Sequence, residues 1–427
     1  MRPLLAVALV AAFGCGGEDD YIVERAQEVR ELELLADVEV VSMSREEFAA
    51  QAAQQAAQIT DAELTEYAET YGRLGFFDID LDLRPIIAGS SSDFVGATYW
   101  EGQITLVGVT PDDTILHEWV HALQDQHFVL TELDDYETSD GFLARRATVE
   151  GDAVLAQWRF IMEDEYDLGL RQVNWMESLP YLRQRSDDYV VDSPYPSVFA
   201  DYVSFVYSYG LEFVAHDLTG VRLDDLAALR AGPYDYDDYD RLFTTEPANT
   251  TQEVLALGDP DPVRVGSALI VPAADRYDLV DMDRLGQWYC HLLFFNASRD
   301  PVASRALARP WDGDIAVFVK QVETSRHGFV WLSAWDDPDA AQAVADTMWT
   351  IYGRAIDATF EPERFAVADD GEPVWIEAQG DRLVVIKNIA RDDLAEFAST
   401  AFALQPTQKR LVRTRPSLAE LLHSLHE

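Results

Sequence analysis

His117-Glu118-Trp119-Val120-His121, continuing as Ala122-Leu123-Gln124-Asp125-Gln126-His127-Phe128, is the stretch on which the rest of the chain hangs. Two histidines at i and i+4 on a helix differ by roughly 40° of rotation, so His117 and His121 present two imidazoles to one ion. Glu118 sits roughly 100° round from His117, near enough to hold a water that the ion activates. Zinc engaged in hydrolysis needs three protein ligands and one open position, and its water loses a proton near pH ~7. The rival reading is a structural histidine pair. Against it stand the helix start just upstream and the apolar Ile115, Leu116, Trp119, Val120 and Leu123, which would bury the motif.

That helix start is Thr110-Pro111-Asp112-Asp113: Thr110 as cap, Pro111 at the first helical position, two acids in the first turn. Two residues compete to be the third ligand. His127 follows His121 at the metzincin spacing, but that class bends its chain at a glycine, and Gln124 stands there. On a straight helix His127 lies nearly three turns beyond His117 and cannot reach the ion. Glu150 is the better choice. It sits in the helical stretch Ala147-Thr148-Val149-Glu150-Gly151-Asp152-Ala153, where an acid on an apolar face needs a partner. Gly151 beside it lets another backbone approach closely. By angle, Gln124 or Asp125 would orient a ligand, with Asp152 as a further candidate.

Outward from this centre, Val38–Met43 reads as a strand and Ser44–Tyr71 as a helix opened by a Ser44/Glu47 capping box. Phe94–Trp100 and Gln103–Val107 read as a hairpin turning at Glu101-Gly102. Further helices are expected at Gly141–Asp164, Pro196–Leu218 and Asp283–Phe295. Beyond residue 311 the pattern becomes strands at Ile315–Val322 and Gly328–Trp335, a helix at Pro338–Tyr352, strands at Arg364–Ala368 and Val374–Ile386, and a helix at Asp392–Phe402. This ββαββα order predicts a separate α+β domain over 311–405, with a short tail helix (Ser417–His426) inside 406–427.

The chain of 427 residues carries 77 acids against 32 lysines and arginines, a net charge of −45 that repels nucleic acid and anionic lipid. The amino end, Met1-Arg2 followed by an apolar run to Phe13 and then Gly14-Cys15, reads as a lipoprotein-type signal over residues 1–15. Cys15 would then be the lipid-modified mature terminus and the only link to a membrane, with residues 16–35 a charged linker or first helix. Cys290 lies in an apolar run and reads as a buried, inert thiol.

The run His117 to Phe128, followed by Glu150-Gly151-Asp152-Ala153, resembles a family of exported bacterial gluzincin-like zinc metallopeptidases. Weaker echoes are Tyr209-Gly210 with Phe213-Val214, Leu285-Gly286-Gln287-Trp288, and Trp311-Asp312-Gly313-Asp314. The resemblance implies an α+β protein: a zincin-like, mostly helical metallopeptidase domain with a small edge sheet over 36–305, plus the C-terminal α+β domain. It implies Zn2+ held by His117, His121 and Glu150, with Glu118 catalytic; the expected partner is a peptide or protein substrate, which zincins add to an edge strand, here within Tyr99–Val107. The family's better-known members carry an Asp four residues after the third ligand; here that residue is Val154. Tyr209 and His216 are the candidates for the oxyanion donor.

Overall fold

Helix α1 (Glu18–Arg30) occupies most of the stretch expected as a linker. Ile22, Ala26 and Val29, spaced three or four apart, form a buried face on it. The computed structural model describes residues 18–92, 95–130, 138–169, 172–173, 175–200, 204–219, 239–258, 275–353, 365–368 and 371–404. The expected signal peptide with Cys15 and the expected tail helix lie outside these residues. Among the described residues no helix is long and apolar enough to cross a membrane.

Strand β1 (Glu39–Met43) leads into α2 (Arg45–Ala56), whose expected capping box is present. The single long helix expected as far as Tyr71 is instead broken. A second capping box, Thr60 with Glu63, restarts the chain as α3 (Asp61–Tyr67), followed by a π turn at Ala68–Gly72. The Thr60/Glu63 signal was readable beforehand, because a capping box satisfies orphan amides only at a helix start. After α4 (Leu83–Ser92) comes the hairpin, β2 (Ala97–Trp100) and β3 (Gln103–Val107). Glu101 and Gly102 both have positive φ (43° and 86°), as a tight two-residue turn requires. β3 is central, with β1 parallel on one side and β2 antiparallel on the other, and β2 is the edge strand that packs against the His117 helix.

Two helices carry the motif residues. α5 (Asp112–Phe128) runs unbroken through Gln124. Its cap differs from expectation: Pro111 occupies the cap position, and the Thr110 hydroxyl donates to the Gly96 carbonyl (2.9 Å). α6 (Ser139–Tyr166) is capped by Thr138, whose hydroxyl accepts from the Gly141 amide. α1, α5 and α6 pack together through Val29, Leu116, Trp119, Val120, Ala153 and Ala156, over Ile104 of β3. Within the helix expected at Pro196–Leu218 the structure gives a helical turn at Ser197–Ala200, a π turn at Phe205–Tyr209 and then α7 (Gly210–Thr219), with 201–203 outside the described residues.

The C-terminal sheet begins earlier than the sequence pattern placed it. Residues Tyr277–Asp283 form β4, so the next helix, α8, starts at Gly286 and ends at Ser298. β4 pairs with β5 (Trp311–Gln321), which pairs with β6 (His327–Trp335). After helix α9 (Pro338–Ile351) come β7 (Phe365–Val367), β8 (Pro373–Gln379), β9 (Arg382–Lys387) and α10 (Leu394–Ala403). The stretch expected as one strand, Val374–Ile386, is the β8–β9 hairpin, turned at Gly380 with φ +61°. The six strands are antiparallel neighbours in the order β4-β5-β6-β9-β8-β7. Alternation divides them between two cores. Ala316, Phe318, Phe329, Trp331, Leu383 and Val385 join the main core with α8 and α9. Ile315, Val317, Val330, Leu332, Val384 and Ile386 pack with α10. The main core also holds Ala144, Ala147 and Val149 of α6, so the sheet and the motif helices share one packed interior.

Candidate metal centre

His117, His121 and Glu150 are each 6–7% exposed and converge from α5 and α6. The two Nε2 atoms are 3.0 Å apart, and Glu150 Oε2 lies 3.2 Å from each. Among the described residues this is the group of histidine, cysteine or acidic side chains able to hold a metal ion. Tetrahedral zinc with bonds of ~2.0–2.1 Å holds its ligand atoms about 3.3 Å apart, so the observed triangle has the size and the chemistry for that ion. Two imidazoles and one carboxylate are also the donor set of catalytic zinc sites that keep an open position.

The tautomer of His121 follows from its neighbours. Gln124, fully buried, donates through Nε2 to the Val149 carbonyl (3.1 Å) and to Asp152 Oδ2 (2.7 Å). Its Oε1 therefore faces His121 Nδ1 at 2.8 Å, which must carry the hydrogen, leaving the Nε2 lone pair for the ion. Asp152 is itself held by Arg30 Nε (2.7 Å) and the Tyr239 hydroxyl (2.9 Å). Of the three expected orienting residues, Gln124 touches a ligand and Asp152 supports Gln124. Asp125 turns elsewhere, accepting from the Tyr99 hydroxyl (2.8 Å) and the Leu130 amide (3.0 Å).

Glu118 is buried beside the triangle. Burial pushes its carboxyl up to about 7, helped by the Glu150 charge and opposed by His117, the Tyr99 backbone N–H and Arg146. Tyr99 thus ties the edge strand to α5 twice, by its amide to Glu118 and by its hydroxyl to Asp125. Glu150 behaves oppositely. Burial works against its ionisation, but His121, Arg146 and the histidine hydrogen bonds outweigh it and hold the carboxyl well below the usual range.

His127 stays out of the cluster: it is half-buried and its Nε2 meets the Glu33 carbonyl at 2.8 Å. Tyr209 packs on Phe205 and Trp288 (centroids 5.8 and 5.0 Å), and His216 lies half-buried on α7, outside the ligand cluster. The aromatic ring beside the triangle is that of Tyr207, edge-on to His117 at 5.9 Å and 38% exposed among buried neighbours. It arrives through a close helix crossing. A Cβ on Gly151 would stand 2.3 Å from the Gly210 carbonyl carbon, and one on Gly210 would stand 2.2 Å from the Ala147 oxygen. Only glycine at both positions allows this approach, as the reading of Gly151 expected. Arg146 was missed, although its spacing, four residues before Glu150 on a helix, is the ordinary ion-pair signal. Tyr207 had no such signal, because a tertiary crossing delivers it.

Residues 275–398 match the family model described as a domain of unknown function, DUF8575. No curated protein and no solved structure matches the chain. The matched span covers the six-stranded sheet with α8, α9 and the first half of α10, and leaves out His117, His121 and Glu150.

Proposed function

We propose that this chain is a zinc-dependent metallopeptidase with a zincin-like arrangement, in which His117, His121 and Glu150 hold the ion. The observation that carries the reading is the buried triangle of ligand atoms with a second buried carboxylate, Glu118, beside it. A zinc ion there would supply Lewis-acid polarisation of a carbonyl and activation of a water. Glu118 would orient that water, take its proton and deliver it to the leaving nitrogen. A peptide lies along the outer edge of β2 as an added strand. Tyr207 is the donor proposed for the developing oxyanion, in place of Tyr209 or His216. Cys15 is proposed as a lipid anchor at the cell envelope; mass spectrometry finding that cysteine unmodified in the mature protein would refute this.

The test is to measure bound zinc, melting temperature and turnover of a broad peptide library for three variants. E118Q keeps zinc and fold but loses hydrolysis, by roughly 10² to 10⁴ or more, since general acid–base work alone is worth that. E150Q loses zinc affinity first. H127A changes neither. Wild-type protein prepared without chelator that holds no stoichiometric metal sinks the proposal, and E118Q matching wild type on every substrate makes the chain a binder instead.

A further inference from the structure

Glu150 meets two partners with its two oxygens. Oε2 is the atom 3.2 Å from both histidine nitrogens, whereas Oε1 accepts from Arg146 Nη2 at 2.6 Å. Arg146 stands one helical turn earlier on α6, and its side chain is only 11% exposed. A carboxylate ligates a metal through one oxygen or through both. The second mode would fill a position that hydrolysis needs for water and substrate. A guanidinium keeps its proton at any working pH and has no lone pair to offer a metal, so it competes for Oε1 without becoming a ligand. Its bond to Oε1 is charge-assisted, about twice as strong as a neutral one, and burial leaves little water to replace it.

From this division of oxygens we infer that Arg146 is a positioning residue that confines Glu150 to single-oxygen ligation and so keeps one face of the metal open. The inference rests on the metal-site reading above. It assigns Arg146 a part that an ordinary helix-surface ion pair would not have, since such a pair only steadies its helix and leaves coordination untouched.

The experiment uses the full chain loaded with zinc or with cobalt as a spectroscopic probe. X-ray absorption of the wild-type zinc protein should count four ligand atoms at bonding distance: two nitrogens, one carboxylate oxygen and one water. The cobalt form should show the intense visible bands of a four-coordinate ion. R146M should still bind one metal per chain, but with five ligand atoms and weakened bands, because both Glu150 oxygens are then available. R146K, which keeps a charged donor, should return the spectrum most of the way to wild type. Five ligand atoms in the wild-type protein, or an R146M spectrum identical to wild type, overturns the inference while leaving the metal site standing. Should R146M fail to fold, the wild-type ligand count decides alone. A wild-type chain that takes up no metal brings down both the site and the inference.

Discussion

Gln124 is the residue on which the geometry of the centre turns, since one amide satisfies His121, Asp152 and the Val149 carbonyl inside a sealed interior. Gln124→Ala removes the group that fixes the His121 tautomer and strands buried polar atoms on both helices. Unsatisfied buried groups cost about 1–3 kcal/mol each, and loss of a partner behind a ligand costs about 10–100-fold in metal affinity. Titration against a chelating chromophore should show that drop; undiminished affinity would mean the histidines are oriented by packing alone. The role proposed for Tyr207 is of a different kind. Tyr207→Phe keeps the ring against His117 and removes the hydroxyl, so metal content and melting temperature should hold while kcat falls by ~10²–10³, the usual loss of one oxyanion donor. A variant with unchanged kcat would strip Tyr207 of that role. Of the proposed ligands, His117 and His121 were legible because helical periodicity ties them to each other and to Glu118 locally, whereas Glu150 was singled out on another helix by its apolar surroundings. Their supports were less so: Gln124 and Asp152 could be narrowed by angle, while Arg30 and Tyr239 come from distant segments that only packing brings to Asp152.

At the scale of elements, the crossing of α6 with the segment that starts α7 sets the distance between Glu150 and Tyr207. The added methyl in Gly151→Ala meets backbone atoms of Gly210, which cannot swing aside as a side chain could. Overpacking of this kind costs about 1–3 kcal/mol or more. It should lower the melting temperature and, by shifting the π turn, depress turnover beyond what the stability loss explains. Full activity together with an unchanged melting temperature would show that the helices slide apart freely. The end of α5 offers the opposite experiment. Val129 closes that helix at φ 55°, a left-handed conformation that a β-branched residue adopts at a cost, and it is 46% exposed, so its side chain contributes little burial. Val129→Gly should therefore raise stability by about 1 kcal/mol in a denaturant titration, and a loss would show that Val129 packs more than its exposure implies. The sequence marks neither feature fully. Gly151 announced a close approach without naming its partner. The restart at Thr60 had its capping-box signal, but the π turns at Ala68–Gly72 and Phe205–Tyr209 disappear in an alanine-rich or aromatic pattern whose periodicity runs straight through them.

For the molecule as a whole, the α+β character and the sheet-rich C-terminal region were readable from alternation, but the union of the two regions was not. β4 has only partial alternation, with Leu279 exposed and a bulge between Leu279 and Asp281, so nothing in its pattern announced a strand of the later sheet. Among the acids buried where the regions meet are Asp140 and Asp314. Asp140 at the start of α6 accepts from the Thr251 amide and hydroxyl (both 2.7 Å) and lies against Gly286, where a Cβ would stand 1.8 Å from its Oδ1. Asp314 of β5 accepts from the amides of Leu285 and Gly286 and from Trp331 Nε1. Burial raises Asp140 from 3.8 to about 7, with Asp314 adding and the Thr251 hydrogen bonds and Arg284 opposing; burial likewise raises Asp314 to about 6. The unfolded chain gives up both protons near 3.8, so between that value and 6–7 the folded state binds more protons, and raising the pH through this window favours unfolding. Buried His291, held well below its ordinary 6.5 by desolvation and Arg305, works in the other direction, but only below that pH. Above about pH 6.5 the raised carboxyls still losing protons are Asp140 and Glu118, both near 7, so wild-type stability should go on declining to about pH 7.5 and level off beyond it, and the share that belongs to Asp140 is what its substitution removes. In Asp140→Asn the side chain keeps an acceptor for Thr251 and has no proton to lose, so the decline should flatten. Melting curves of both proteins across that range decide the matter: a wild type equally stable at both ends, or a variant that falls as steeply, would show that Asp140 is ionised throughout and that the junction between the two regions tolerates its charge.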